Sequence, residues 1–401
     1  MSTTLYLQLS ALMFMEYAVW GAWMPVLAAR LLGPLQMTGK QTGWIYATLP
    51  IGIMISSMFA GQLADKYFDT GHILAFCHGV GIVLLFLAAR TKKFTPLFVV
   101  MLAYSMLYGA TIPLVNSLMF SHLTAVAKSV GQLPKTFIDE HSPGIFIWAP
   151  VAWTAIGVLL SGWRNMRKSE GDGSDCLKFA ALLSIVMTVI CLLQPATPPK
   201  GGGTGSPLME AIGLMNDPKF AVFIVASLVV AGTMQFYFLG TGRFLTDLGA
   251  SSKNVSGIMG IAQAAQAVAT IFALGALSKM LGPKWTITLG AACWMLLYLV
   301  YALRAPRTVV IGAQVLHGLA YVFFMIAGQI YVDSVAPDKI KGSAQALIFL
   351  VTTGIGLFLG TQVAGWAMDR FSTNGQFNWS KVFLVPMLLT LAGVLALAIA
   401  F

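Results

Sequence analysis

The sequence predicts an all-α integral membrane protein of twelve transmembrane helices, arranged as two six-helix halves. Three observations predict it. The chain of 401 residues is 58% hydrophobic and only 9% charged, whereas soluble domains carry roughly 25% charged residues, so this much apolar surface has no place in water. The apolar residues fall into twelve runs, each near the roughly 20 residues that cross a bilayer. A stretch rich in Pro and Gly then divides the runs six and six. The runs are continuously apolar and do not alternate, which excludes a β-barrel.

In order, the runs of the first half lie at about 5–32, 42–66, 72–90, 96–122, 143–162 and 175–195. Those of the second lie at about 219–246, 254–281, 283–303, 307–335, 340–370 and 379–401. Several are long enough to demand tilt. Pro25, Pro50, Pro113 and Pro150 sit inside them, which membrane helices tolerate and which marks bends. Residues 1–195 are expected to form the N-terminal half, 196–218 a cytoplasmic linker, and 219–401 the C-terminal half. In the linker, Pro198-Pro199 followed by Gly201-Gly202-Gly203 cannot hold one helix throughout. The N-terminus has no basic stretch ahead of its first full-length run, so that run reads as a membrane helix and not as a cleaved signal.

Composition also excludes function classes. The net charge of +10 is scattered over short loops, which argues against a nucleic-acid partner. Cys77, Cys176, Cys191 and Cys293 show neither paired nor metal-like spacing, so no metal is expected. An enzyme would need convergent nucleophile, base or metal ligands. The sequence has no such set, and the glycine run at 201–203 lacks the Lys of a phosphate loop. No cofactor is expected.

The first run holds the most informative residue. Glu16 is a carboxylate near the centre of an apolar span, where a lipid-facing charge costs a few kcal/mol and an interior one usually serves a function. Trp20 and Trp23 follow it at i+4 and i+7, on one helical face. A carboxylate and two indoles on a shared face predict the wall of a cavity. In the second half, Gln263 and Gln266 share a face at i, i+3, as do His317, Tyr321 and Phe324 at i, i+4, i+7. Amides in hydrocarbon need partners, either a neighbouring helix or a ligand. Three glutamines at similar depth in this half, Gln235, Gln263 and Gln266, favour a ligand.

Between the second and third runs stands Gly61-Gln-Leu-Ala-Asp65-Lys66-Tyr67. It resembles the G-x-L-A-D-R/K-x signature of the major facilitator superfamily. Gly61 allows close helix approach. Asp65 and Lys66, at the membrane surface, are expected to latch one conformation against a neighbouring helix end. A weaker echo, Gly365-Trp-Ala-Met-Asp369-Arg370, closes the eleventh run. Trp20-Gly21-Ala22-Trp23, Ala64-Asp65-Lys66, Cys77-His78, Asn116, Ile147-Trp148 and Ser343-Ala344-Gln345, spread over both halves, resemble the nucleoside:proton symporter family of that superfamily.

The resemblance implies a monomeric inner-membrane transporter whose partners are a nucleoside, protons and the lipid bilayer. It implies a midplane site between the halves, reached by alternating access. The positions of this chain that match the family site are Trp153, Gln235, Gln263, Gln266, His317 and Tyr321, with Asn116 and Phe146. Trp20 and Trp23 join them from the first run. The chain departs from the family where charge is concerned. Gln266 and Val322 stand where the family has acids, Phe146 where it has Arg, and Phe238 and Met325 where it has Asn. Proton coupling through those carboxylates cannot operate here. Glu16, with His317, is the candidate substitute; otherwise the protein is an uncoupled facilitator. A site with less charge also suits a nucleobase, a sugar or another neutral amphiphile. The family motif places both termini in the cytoplasm, although the outside loops would then carry more Lys and Arg than the inside loops, against the usual bias.

Overall fold

The computed structural model describes residues 1–167, 171–197, 211–337 and 340–401, and among these not the side chains at 57–62 and 65–66. Within the described residues, eleven helices are long and apolar enough to cross a membrane, and Gly39–Lys66 adds a helix of 28 residues. They are α1 (Thr3–Leu32), α2 (Gly39–Lys66), α3 (Thr70–Arg90), α4 (Phe94–Ser129), α5 (Pro134–Met166) and α6 (Asp175–Leu192) in the first half. The second half has α7 (Pro218–Asp247), α8 (Ser252–Phe272), α9 (Leu274–Ala302), α10 (Arg307–Val335), α11 (Lys341–Arg370) and α12 (Trp379–Ala400).

Local chemistry sets the ends. Thr38 and Gln41 form a reciprocal capping box on α2. Asp69 caps α3, and Asp217 caps α7 with Pro218 in its first turn. Helix α1 is interrupted at 24–26, where Pro25 supplies no N–H. Helix α5 bends at Ile147, three residues before Pro150. Helix α8 ends at Phe272 and not at 281 as its apolar run implied. The chain resumes as α9 and turns at Gly282, whose φ of 73° is strained for any residue with a side chain. Helices α4 and α5 run past their apolar cores into polar turns, to Ser129 and from Pro134. A two-stranded hairpin, Ser372–Thr373 with Gln376–Phe377, joins α11 to α12 through Asn374 and Gly375, both at positive φ.

Helix pairings repeat six helices on. Helix α3 packs on α6 as α9 does on α12, α2 on α4 as α8 on α10, and α1 on α5 as α7 on α11. Such repetition is the architecture of a transporter built from internal repeats. The outer helices expose large apolar side chains, such as Phe76 and Val83 on α3, Leu182 and Val189 on α6, and Leu388 and Ile399 on α12, which is where lipid replaces water.

The halves meet along two seams, α2 against α11 and α5 against α8. Both are made by small residues. A Cβ on Gly43 would sit 2.5 Å from the Thr361 carbonyl oxygen, and one on Gly157 would sit 2.6 Å from that of Ser256. Among the described residues, hydrogen bonds between the halves gather at the end that carries the α1–α2 and α7–α8 loops. There Asp369 accepts from the Gly39 and Lys40 N–H groups (2.5 and 2.9 Å), Ser161 meets Ser256 (2.9 Å), and Asn165 donates to Asn254 (2.6 Å). That end is closed. Most of the expected linker (198–210) and the side chains of the expected latch, Gly61, Asp65 and Lys66, lie outside the described residues.

Candidate functional site

A cavity of about 70 Å³ lies between the halves, below the closed end. Five helices of different origin bring aromatic rings and amides to it. Helix α1 contributes Tyr17 and Trp20, α5 Trp153, α7 Phe238, α8 Gln263 and Gln266, and α10 His317 and Tyr321. Helix α11 adds Thr353. Tyr321 and Thr353 sit in the two stretches, Tyr321–Ile326 and Leu350–Gly356, where α10 and α11 widen into π-helical turns, a feature that often marks functional positions. No Asp, Glu, Lys or Arg among the described residues lines the cavity.

The rings form a continuous wall. Trp20 meets Trp153 edge to face at 5.5 Å, and Trp153 meets Phe238 at 5.9 Å. Gly21 lets Trp153 this close, since a Cβ there would come within 3.0 Å of the indole. His317 stacks on Tyr237 at 3.7 Å. Its Nδ1 accepts from the Trp294 indole at 3.1 Å. An indole N–H only donates, so Nδ1 carries the lone pair and a neutral His317 has its hydrogen on Nε2. That Nε2 is buried with no partner in the protein, as is the indole Nε1 of Trp20. Two residues of the cavity lining, His317 and Trp20, therefore carry orphaned donors. Buried polar groups are rarely left unpaired, and each orphan calls for a ligand or water.

Other expected residues lie elsewhere. Helix α1 shows the cavity Tyr17, Trp20 and Met24. Glu16 and Trp23 fall on the side facing α2, α3 and α4. Trp23 is fully buried between Tyr46 and Tyr104. Glu16 is fully buried too, with His78 Nε2 at 3.0 Å and the Thr111 hydroxyl at 2.6 Å. The shared face predicted for Glu16, Trp20 and Trp23 divides because α1 is enclosed on all sides, and Trp20 stands at the border of two faces. Phe146 lies at the bend of α5 against Phe120. Asn116, on α4, and Gln235, on α7, are outside the cavity lining. Gln235 is fully buried with both amide atoms unpartnered. His317 does not pair with Glu16; its Nδ1 meets Trp294 and its side chain lines the cavity.

A larger recess, of about 240 Å³, opens at the closed end among Arg30, Arg164, Arg167, Arg243 and Lys253. Its cations are largely committed to the fold. Arg164 forms a paired bridge to Asp175, and Arg243 pairs with Asp247. Arg30 donates to the carbonyls of Ala88 and Ala89 and stands 3.7 Å from Asp172. Burial works to raise the Asp172 carboxyl, yet hydrogen bonds from Ser174 and the Arg30 charge hold it below the usual carboxylate range. The recess is a vestibule above the central cavity, and Arg30 Nε is a buried atom there without a partner.

A family model described as nucleoside H+ symporter matches residues 1–401. The chain belongs to the nucleoside H+ symporter family. The putative nucleoside transporter YegT of Escherichia coli (strain K12) is 30% identical over 394 residues, covering 94% of this chain and 89% of YegT. The nucleoside permease NupG of the same organism is 25% identical over 398 residues, covering 95% of this chain and 92% of NupG. The crystal structure of the nucleoside transporter NupG superposes with a TM-score of 0.84 at 23% identity, over 98% of each chain. An inward-facing, unoccupied bacterial homologue of the human lysosomal transporter Spinster gives 0.72 at 16% identity, over 99% of this chain and 95% of that one. These structures share the fold of two six-helix halves. This symporter-family member is a multi-pass membrane transporter, and its relatives are transporters, not enzymes.

In this family member the sequence reading missed two kinds of residue. Tyr17, Phe238 and Thr353 line the cavity. Tyr17 and Met24 flank Trp20 at i−3 and i+4, a spacing that was available in the sequence. His78, noted in the sequence only within the Cys77-His78 resemblance, is the partner of Glu16, from 62 residues away, and no local pattern links the two.

Proposed function

We propose that this transporter carries nucleosides by alternating access, holding them in the central cavity. The observation that carries the reading is the pairing of orphaned donors, Trp20 Nε1 and His317 Nε2, with an uncharged wall of aromatic rings. A flat base can lie against Trp20, Trp153 and Tyr321. Ribose hydroxyls and ring heteroatoms can meet the amides of Gln263 and Gln266, which make no side-chain hydrogen bond within the described residues. The absence of a lining cation disfavours nucleotides. The relatives' printed names, nucleoside transporter and nucleoside permease, point the same way.

Both termini are placed in the cytoplasm, with 1–195 and 219–401 as rocking halves joined by a cytoplasmic linker at 196–218. The closed end is then extracellular. The protein is read as a monomer of the inner membrane. Uptake of radiolabelled nucleosides into proteoliposomes tests the function, with nucleobases, sugars and nucleotides as competitors. Unlabelled nucleosides should compete and nucleotides should not. Absence of uptake for every nucleoside, with a sugar or nucleobase entering instead, would remove this reading.

A further inference from the structure

Glu16 and His78 form a buried acid–imidazole pair outside the substrate cavity. Their side chains are 1% and 2% exposed, and Nε2 lies 3.0 Å from Oε2. The other carboxyl oxygen, Oε1, lies 2.6 Å from Thr111 Oγ1, which is also 2.7 Å from the Tyr108 carbonyl oxygen. A threonine hydroxyl has one hydrogen and cannot serve both acceptors. When Glu16 carries a proton on Oε1, it donates to Thr111, and Thr111 donates on to Tyr108. When Glu16 is ionised, Thr111 turns its hydrogen to the carboxylate and leaves the Tyr108 carbonyl. The same three oxygens thus accommodate both forms of the acid by one hydroxyl rotation.

We infer that the Glu16–His78 pair is the site that binds and releases the transported proton. The inference rests on the proposed nucleoside transport and supplies its energy coupling. With one proton added, the pair is neutral overall and tolerates its dry surroundings. Without it, the pair holds a net negative charge, and a bare charge in such a place is costly. The deprotonated pair therefore favours a conformation that hydrates it, and the enclosed arrangement seen here is the protonated one. The titratable groups that face the pair are Tyr17 on α1, Cys77 on α3, Tyr104 and Tyr108 on α4 and Cys191 on α6. No Lys or Arg is among them to neutralise the carboxylate permanently.

The pair also touches the transport machinery. The Tyr108 ring stands edge-on to His78 (6.0 Å) on one side and to Trp20 (6.3 Å) on the other. Its hydroxyl donates to the Glu16 backbone carbonyl at 2.7 Å. Movement of Thr111 or Tyr108 on proton release is therefore felt at a wall of the substrate cavity.

The test uses the full chain in proteoliposomes with an entrapped pH dye. The wild type should exchange labelled nucleoside at symmetric pH, and should accumulate it with co-entry of protons under an inside-alkaline gradient. Glu16→Gln should abolish accumulation and dye response while exchange, which moves no net proton, still proceeds. His78→Gln should shift the pH midpoint of accumulation by about one unit, because Glu16 loses the imidazole hydrogen-bonded to it. Accumulation by Glu16→Gln with the wild-type pH profile overturns the inference. So does a wild type that exchanges nucleoside but neither accumulates it nor takes up protons under the gradient, which leaves nucleoside transport standing. A wild type that exchanges no nucleoside removes the underlying reading as well. Should Glu16→Gln not fold, difference infrared spectroscopy of the wild type decides, because the absence of a protonated-carboxyl band that titrates also overturns the inference.

Discussion

At His317 the indole of Trp294 determines what the imidazole can do. Because Nδ1 accepts from that indole, a second proton there would displace a buried hydrogen bond. His317 is therefore suited to donate to a substrate through Nε2, and poorly suited to carry a proton, which the sequence had allowed. The same reasoning gives Trp20 a donor role through Nε1. We expect Trp20→Phe, which keeps a ring and removes the N–H, to raise the transport KM about 2- to 10-fold, the range of one hydrogen bond worth roughly 0.5–1.5 kcal/mol. An unchanged KM would show that the indole contacts substrate only by its face. Trp20, Trp153, Gln263, Gln266, His317 and Tyr321 were legible because polar or aromatic residues in apolar helices are few. Glu16 and Trp23 were misplaced because a helix buried on every side has no solvent face to fix its rotation.

Helices α2 and α11 run antiparallel along one seam, and the Gly39 end of that seam carries a cross-half cap. The Asp369 carboxylate accepts from the first N–H groups of α2, at Gly39 and Lys40, where the helix dipole favours an anion. The sequence had marked Asp369 only as an echo of the Gly61–Lys66 motif. It stands at the Gly39 end of the seam. Removing a cap costs about 0.5–2 kcal/mol. Asp369→Ala should therefore shift the ratio of closed to open conformers at this end about 2- to 30-fold toward open, read as a distance distribution between spin labels on the two halves. Gly157→Val should act more strongly in the same direction at the α5–α8 seam, because its side chain would strike the Ser256 carbonyl. If the closed population survives in Gly157→Val, the seam is not the contact that holds the end shut.

Across the whole molecule, the inter-half hydrogen bonds among the described residues gather at one end, as the proposed rocking of the halves about the central cavity requires of a state shut there. The Ser161 and Ser256 hydroxyls, 2.9 Å apart, allow a direct test. Cysteines at both positions should form a disulfide with small adjustment, arrest uptake when oxidised and release it on reduction. Uptake at the wild-type rate by the oxidised variant would show that this end need not open. The native cysteines are all buried, so the engineered bond should form selectively. The sequence by itself determined the membrane class, the helix count, the division into halves and the family. Apolar run length and a few short motifs carry that information locally, because hydrocarbon admits only helices or closed barrels. Only the tertiary structure decided which face of α1 lines the cavity, which acid finds His78, and which end is shut. Each of those depends on how enclosed helices rotate and pack against partners many residues away, and sterics between neighbouring helices, not local pattern, settle that.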